Sequence, residues 1–491
     1  MAGAQPRRMS TLELFHPTGA APRVLVLGGR DAAALVAASA RDSGEPADLV
    51  VVAPTRAERT ARGWVEGAAQ TIDGVLAEDG VAFVVAPQPW RRRLLRAVRA
   101  KKLVVGPTLL HFPSLRASRH VVGGAAAARY ATACLVAPSS WRGRLVSLAA
   151  RVPGGLRLVA QADVTSVVVR RRDAAPLFRW LFEVAGDARA EGIVLTRTWR
   201  DDGGTFTVSV VAADTAAPTQ VARVGSPPAA ARETLGEERA LALLGRGAAD
   251  AGAVVPRYLG STQLETVPVA VETGVPGRVA ASALAERRGD VPAVLDRVLA
   301  WLLRWNRSTA TRAALTPSLL EDEVLRPARL VAGALPGGDD HVRFLERLCD
   351  EVTGAEAALT AAHDDLTMTN VLLGENGSIG VVDWDTARAT ALPLADFFYT
   401  VVDAHSASER YADRVRAFSN CIPTAGRHAE DVRARLSSFT HALGVTPAVR
   451  LVSLHACWLH HAANELARGE TDGPFVQIVR LLADDTGTLA Q

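Results

Sequence analysis

The apolar residues of this chain change rhythm once. Up to about residue 275 they come in short runs of valine, leucine and alanine broken by Gly, Pro and Asp. Beyond Gly277 they recur at the spacing of a helix face. Short apolar runs bounded by turn formers are strands, and a 3.6-residue recurrence is a helix that buries one side. The chain therefore has to fold as a sheet-rich first part and a helical second part. Within the first part, residues 24–27, 49–53 and 81–86 alternate with helical stretches at 32–40 and 71–77, the pattern of a parallel sheet covered by helices. Runs at 164–170, 192–198, 205–212, 219–224 and 267–272 then follow, with one helix at 228–244 and a turn signal at Asp201, Asp202, Gly203 and Gly204, the pattern of an antiparallel sheet. In the second part, 291–305 places Val294, Leu295, Val298, Leu299 and Leu302 on one helix face, 342–360 reads as another helix, and 371–373 with 379–382 reads as a short hairpin.

A length of 491 residues exceeds one ordinary core and predicts roughly two to four domains. The expected division is a tail over 1–22, an α/β unit over 23–150, a sheet lobe over 155–275 and a helical lobe over 276–491. A formal charge of +3 makes no case for a nucleic-acid binder. The sequence holds no run of about 18 uncharged apolar residues, so no membrane span is expected. Cys134, Cys349, Cys421 and Cys457 lie far apart, which argues against a zinc knuckle or a disulfide framework and fits a cytoplasmic protein. Lys101 and Lys102 are the only lysines.

Chemistry concentrates at 363–373, His-Asp-Asp-Leu-Thr-Met-Thr-Asn-Val-Leu-Leu, followed by Asp383 after the hairpin. The protein-kinase catalytic loop reads H-x-D-L-x-x-x-N, and His363, Asp365, Leu366 and Asn370 match it in register. Phosphoryl transfer asks for charge neutralised on a nucleotide and a hydroxyl held in line. Asp365 suits the role of accepting or orienting the hydroxyl proton. Asn370 and Asp383 offer hard oxygen ligands to Mg²⁺. His363 would brace the loop.

These residues resemble the catalytic loop H-G-D-x-x-x-x-N and the following I-D-W of aminoglycoside phosphotransferases, choline kinases and related small-molecule kinases; Val382-Asp383-Trp384-Asp385 matches the second motif. The resemblance covers roughly 155–485 and implies a bilobal protein-kinase-like fold preceded by the N-terminal α/β unit. It implies that Asp396 supports the catalytic loop, that Glu237 is the helix glutamate facing the base of the nucleotide lobe, and that 269–272, ending at Glu272, is the hinge strand touching adenine. It implies ATP or GTP with Mg²⁺ as cofactors, and a sugar, amino alcohol or aminoglycoside-like acceptor. Two departures stand out. The family's glycine between His and Asp is Asp364, and its nucleotide lysine is replaced by Arg223, a planar fork in place of a point charge. A non-catalytic, pseudokinase-like binder therefore stays open beside a working kinase.

The N-terminal unit is weaker. Leu27-Gly28-Gly29-Arg30 lacks the full G-x-G-x-x-G, and Asp79-Gly80 before a strand is similar to a late loop of S-adenosylmethionine-dependent methyltransferases. The expectation is a degenerate, Rossmann-like, methyltransferase-like domain, with a bifunctional methyltransferase–kinase as the third reading. Residues 90–102 form a basic amphipathic helix, read as a solvated face ahead of a lipid contact. His455, His460 and His461 share a helix without a carboxylate set and are expected to pack or line a cleft.

Overall fold

The computed structural model describes residues 23–28, 46–85, 90–112, 120–131, 165–171, 190–197, 206–212, 217–224, 229–264, 267–406 and 412–484. The tail over 1–22, the helix expected at 32–40, Gly29 and Arg30, and the Asp201–Gly204 turn lie outside these residues. The chain forms two compact units: Met1–Leu235 with Arg257–Pro276, and Gly236–Pro256 with Gly277–Gln491.

The first unit is built on one sheet. Its strands are β1 (Val24–Gly28), β2 (Ala47–Ala53), β3 (Leu76–Val84), β4 (Val104–Phe112), β5 (His120–Gly123), β6 (Thr165–Arg170), β7 (Ala190–Arg197), β8 (Phe206–Ala212), β9 (Pro218–Val224), β11 (Tyr258–Leu264) and β12 (Val267–Thr273). They lie in the order β1-β2-β3-β6-β4-β5-β7-β8-β9-β12-β11, eleven strands among the described residues. Among the described residues of this sheet only β1, β2 and β3 pair in parallel, and every later pair is antiparallel. Alternation sorts side chains between two faces, because successive residues of a strand point opposite ways. Leu49, Val51, Val81 and Phe83 join one buried cluster, while their neighbours Val50, Val52, Ala82 and Val84 join another. The second cluster is closed by α1 (Trp64–Val75) and α2 (Trp90–Ala100), through Val65, Ala69, Ile72, Leu94 and Val98.

The expected boundary near residue 150 does not divide two sheets. Strand β6, from beyond it, inserts between β3 and β4 and pairs antiparallel with both. The physical reason is in its sequence: Val167, Val168 and Val169 are all buried, so this strand needs cover on both faces and takes a central position. The parallel sheet expected over 23–150 is thus parallel only at its first three strands.

The second unit carries the helices α3 (Ala229–Asp250, from Gly236 onward), α4 (Val291–Thr309), α5 (Gly338–Val352), α6 (Ala395–Ser406), α7 (Asp413–Cys421), α8 (Ala429–Leu443), α9 (Pro447–Ala467) and α10 (Pro474–Asp484). Two small sheets accompany them. One runs β10 (Ala253–Val254), β17 (Ile379–Val381), β16 (Val371–Leu373), β13 (Arg278–Val279); the other runs β14 (Thr311–Ala314), β15 (Glu356–Ala362), β18 (Arg388–Ala391). Helix α4 buries the predicted face, and its Trp301 and Trp305 stack at 5.3 Å between ring centroids. Trp305 meets Trp384 edge-on at 5.4 Å, which ties the helix core to the residue after Asp383. The helix expected over 342–360 ends at Val352. Gly354 takes a left-handed φ of 80°, and the alanine-rich 356–362 becomes β15 because it has partners on both sides. Tertiary pairing here overrides helix propensity.

Replacing Val168 by alanine removes two methyl groups from the middle of the sheet. We expect it to destabilise the chain by about 2 kcal/mol in urea unfolding, and the same substitution at a free sheet edge to cost far less.

Candidate active site

The segment after β15 is held from beneath. The Asp396 carboxylate, in the first turn of α6, accepts hydrogen bonds from the backbone N–H of His363 at 2.7 Å and of Asp364 at 2.9 Å. One turn on, the Thr400 hydroxyl donates to the Leu366 carbonyl at 2.9 Å. One further turn on, Asp403 accepts the backbone N–H of Met368 at 2.6 Å and pairs with buried Arg414 of α7. Residues 396, 400 and 403 fall at i, i+4 and i+7, one stripe of a helix. Four backbone groups of the loop, the N–H of His363, Asp364 and Met368 and the carbonyl of Leu366, are thereby satisfied away from water. Asp396 was expected from the sequence; Thr400, Asp403 and Arg414 were not, although their spacing was readable.

His363 is fully buried and packs at a tilt against Trp384 with centroids 4.8 Å apart; its Nε2–H donates to the Val382 carbonyl at 3.1 Å. Burial lowers its pKa to about 4, so the ring is neutral at ordinary pH and acts as a strut between loop and hairpin. Asn370 donates its side-chain N–H to the Asp365 carboxylate at 3.0 Å and to the Asp365 carbonyl at 2.9 Å. That leaves its Oδ1 as the atom a cation would use. The Val382 N–H donates to the Asn370 carbonyl at 3.0 Å, so the two predicted metal-ligand segments are fastened to each other. Burial, followed by the negative charges of Asp383, Asp385 and Asp403, pushes the Asp365 carboxyl well above its ordinary value, with Arg414 pulling the other way. Burial and Asp364 likewise raise Asp396 to about 7 against the pull of its two amide donors.

The carboxylate oxygens of Asp383, Asp385 and Glu237 all lie within 4.8 Å of one another. Glu237 is brought there by a glycine. A Cβ on Gly236 would stand 2.6 Å from the Asp385 carbonyl oxygen, so only glycine lets α3 approach this closely. Three hard, negatively charged oxygen donors at that spacing fit a divalent cation of the Mg²⁺ class. Asp385 was not assigned a role from the sequence. Asp383 adopts a left-handed φ of 71°, a conformation that costs a non-glycine residue energy and is retained where the surroundings fix it.

In the first unit, Arg223 of β9 stands opposite Ala270 of β12, and its Nε lies 3.9 Å from the Glu272 carboxylate. The structure thus brings the two nucleotide-contact candidates of the sheet unit together, and it groups Glu237 with Asp383 and Asp385.

Asp364, where the resembling family has glycine, also has a positive φ, 61°. Arg388 of β18 donates to both of its carboxylate oxygens, one at 2.9 Å, and is itself paired with Glu323. A planar guanidinium bound through two parallel N–H groups fixes the orientation of its partner, so Arg388 clamps the strained residue. The three histidines of α9 were expected to pack or line a cleft, and His460 and His461 line a small cavity with Asp364, Arg388 and Asp396. His455 is buried 3.3 Å from His341, and His461 stacks on Tyr399 at 3.9 Å.

Residues 198–431 match the phosphotransferase enzyme family. The match takes in β8 through β18 and the whole catalytic loop, and leaves β1 to β7 outside. Solved structures are similar at low identity. A thermostable mutant of aminoglycoside phosphotransferase APH(4)-Ia, in ternary complex with AMP-PNP and hygromycin B, has 16% identity and a TM-score of 0.38, covering 64% of this chain and 99% of that one. Macrolide 2'-phosphotransferase MphH from Brachybacterium faecium has 16% identity and a TM-score of 0.34, covering 62% and 98%. A fructosamine-3-kinase from Haemophilus somnus has 10% identity and a TM-score of 0.34, covering 57% and 86%. No curated protein matches the sequence.

Breaking the clamp gives a test with a built-in rescue. Arg388→Ala leaves the Asp364 carboxylate buried without its cation and is expected to cost about 2–4 kcal/mol in urea unfolding. Asp364→Gly in that background removes both the charge and the backbone strain and is expected to restore most of the loss.

Proposed function

We propose that this chain, which carries the phosphotransferase-family domain over residues 198–431, is a kinase that moves the terminal phosphoryl group of ATP or GTP to a hydroxyl of a small molecule. The acceptor is a sugar, an amino alcohol or an aminoglycoside-like compound. The observation that carries the reading is the fastening of Asn370 to Asp365 and to the backbone of Val382, the residue before Asp383.

In this reading the acceptor oxygen attacks the terminal phosphorus, the bond to the bridging oxygen of the diphosphate breaks, and the hydroxyl proton passes to Asp365. Asn370 Oδ1 and Asp383 would hold Mg²⁺, with Glu237 and Asp385 beside them; the ion would supply charge neutralisation for the phosphates. Asn370 orients the Asp365 carboxylate by its 3.0 Å bond, so the base meets the acceptor in one rotamer. His363 and Asp396 hold the loop and touch no reactant. Arg223 and Glu272 take the nucleotide contacts that the family resemblance gives them.

The replacement of lysine by Arg223 favours a second reading, a nucleotide-binding protein without turnover. The guanidinium can grip phosphate oxygens, but as a fork rather than a point charge.

Steady-state assays with Mg²⁺ and labelled nucleoside triphosphate separate the two. Asp365→Ala is expected to lower turnover by about 10²–10⁴-fold with nucleotide affinity nearly unchanged. Tight nucleotide binding with no turnover in the unaltered chain would support the second reading.

The pH profile has a defined sign. Asp365 must be ionised to take the proton, and its pKa is raised, so activity is lost as pH falls through that raised value. Protonation of Asp396 near pH 7 weakens the same loop. We expect kcat/KM to rise with pH across the titration of the two raised carboxyls, above the ordinary carboxylate range, and the rising limb to be absent from nucleotide affinity.

A further inference from the structure

Helix α2 (Trp90–Ala100) is seated in the first unit by one face and bare on the other. Trp90, Leu94 and Val98 are buried, with Trp90 packed on Trp64 at 4.7 Å between ring centroids. Arg92, Arg93, Arg96 and Arg99 are exposed, and Lys101 and Lys102 continue the row just past the helix end. Among the described residues none of these six side chains makes an ion pair or hydrogen bond. A solvated helix of a globular protein ordinarily intersperses both signs of charge; this one carries five arginines and no acid.

The surrounding sequence sharpens the contrast. From 81 to 162 the chain has fourteen arginines and lysines and no aspartate or glutamate, although aspartates and glutamates elsewhere bring the whole chain to +3. Composition drift toward arginine explains many cations; it does not explain the removal of every acid. Arg91, buried at the start of the same helix, has its pKa lowered first by burial and then by the charge of Arg92. Six like charges held together with no internal partner are stabilised by an external anionic surface.

We propose that the exposed face of α2 docks this protein on the anionic lipid headgroups of a membrane. The geometry favours a bilayer over a nucleic acid. The six cations span about 15 Å along a convex helix, a strip that meets a plane, and among the described residues 91–102 no aromatic side chain stands between them to receive stacked bases. The helix has no spare apolar side chain to insert, because Trp90, Leu94 and Val98 are spent on the core. Attachment is therefore electrostatic, reversible and sensitive to salt. This surface lies outside the family match and does not depend on the kinase reading.

The test is co-sedimentation of the full chain with vesicles of phosphatidylcholine alone or mixed with phosphatidylglycerol. Binding is expected only to the anionic vesicles and is expected to weaken as salt is raised. The triple variant R92E/R96E/R99E is expected to bind about a hundredfold more weakly, each cation near an anionic leaflet being worth about fivefold. The control R287E/R297E/R307E makes the same charge change at exposed arginines of the second unit and is expected to bind like the unaltered chain. Should the first triple variant fail to fold by circular dichroism, K101A/K102A, beyond the helix, is expected to lose about tenfold or more. Absence of binding to anionic vesicles overturns the proposal, as does an equal loss in the control. Tighter binding of a DNA duplex than of the vesicles overturns it too, and gives the face to nucleic acid.

Discussion

One carboxylate organises the candidate site. Asp396, at the start of α6, accepts the main-chain N–H groups of His363 and Asp364, and those two residues precede Asp365. Peptide groups that leave β15 have no ladder partner, and buried peptide N–H groups without partners cost about 1–3 kcal/mol each. The helix supplies acceptors at its first turn and again at Asp403, so the loop can turn sharply and still be dry underneath. A loop held this way presents Asp365 and Asn370 in fixed orientation. Preorganisation of that kind is what a reaction needing position and charge neutralisation more than covalent help requires.

Strain is gathered at the same place. Asp364, Asp383 and Leu394 all have left-handed φ values; Asp364 adjoins Asp365, Asp383 is itself a candidate ligand, and Leu394 lies two residues before Asp396. Asp364 is where the resembling family uses glycine, and here the left-handed turn is retained by a guanidinium clamp from Arg388. The sheet unit contributes a different kind of constraint. Its eleven strands are continuous from Val24 to the strand bearing Glu272, so the N-terminal residues belong to the same sheet as β9 and β12 and do not form a parallel sheet of their own.

Much of the site was legible because it is local. His363, Asp365 and Asn370 fall within eight residues, and the hairpin that carries Asp383 follows directly. Thr400 and Asp403 were legible in principle from their spacing with Asp396, but polar residues in an apolar helix read equally well as a solvated edge. The Asp364–Arg388 pair was not legible, since two residues 24 apart meet only after β15 and β18 pair. The strand order was not legible either. Insertion of β6 between β3 and β4 depends on long-range pairing, and three consecutive valines announce burial on both faces without naming the neighbours. The end of α5 was misread because alanine favours helix, while β14 and β18 recruit 356–362 into a sheet.

The account rests on hard oxygen donors from the loop and the hairpin serving one divalent ion with its nucleotide. Calorimetric titration of a non-hydrolysable triphosphate analogue, with and without Mg²⁺, into the unaltered chain and into Asp383→Asn tests that directly. The account predicts binding that requires Mg²⁺ and weakens at least about tenfold in the variant, in line with loss of one charged ligand. Binding that is the same without the ion, or the same in the variant, would contradict it.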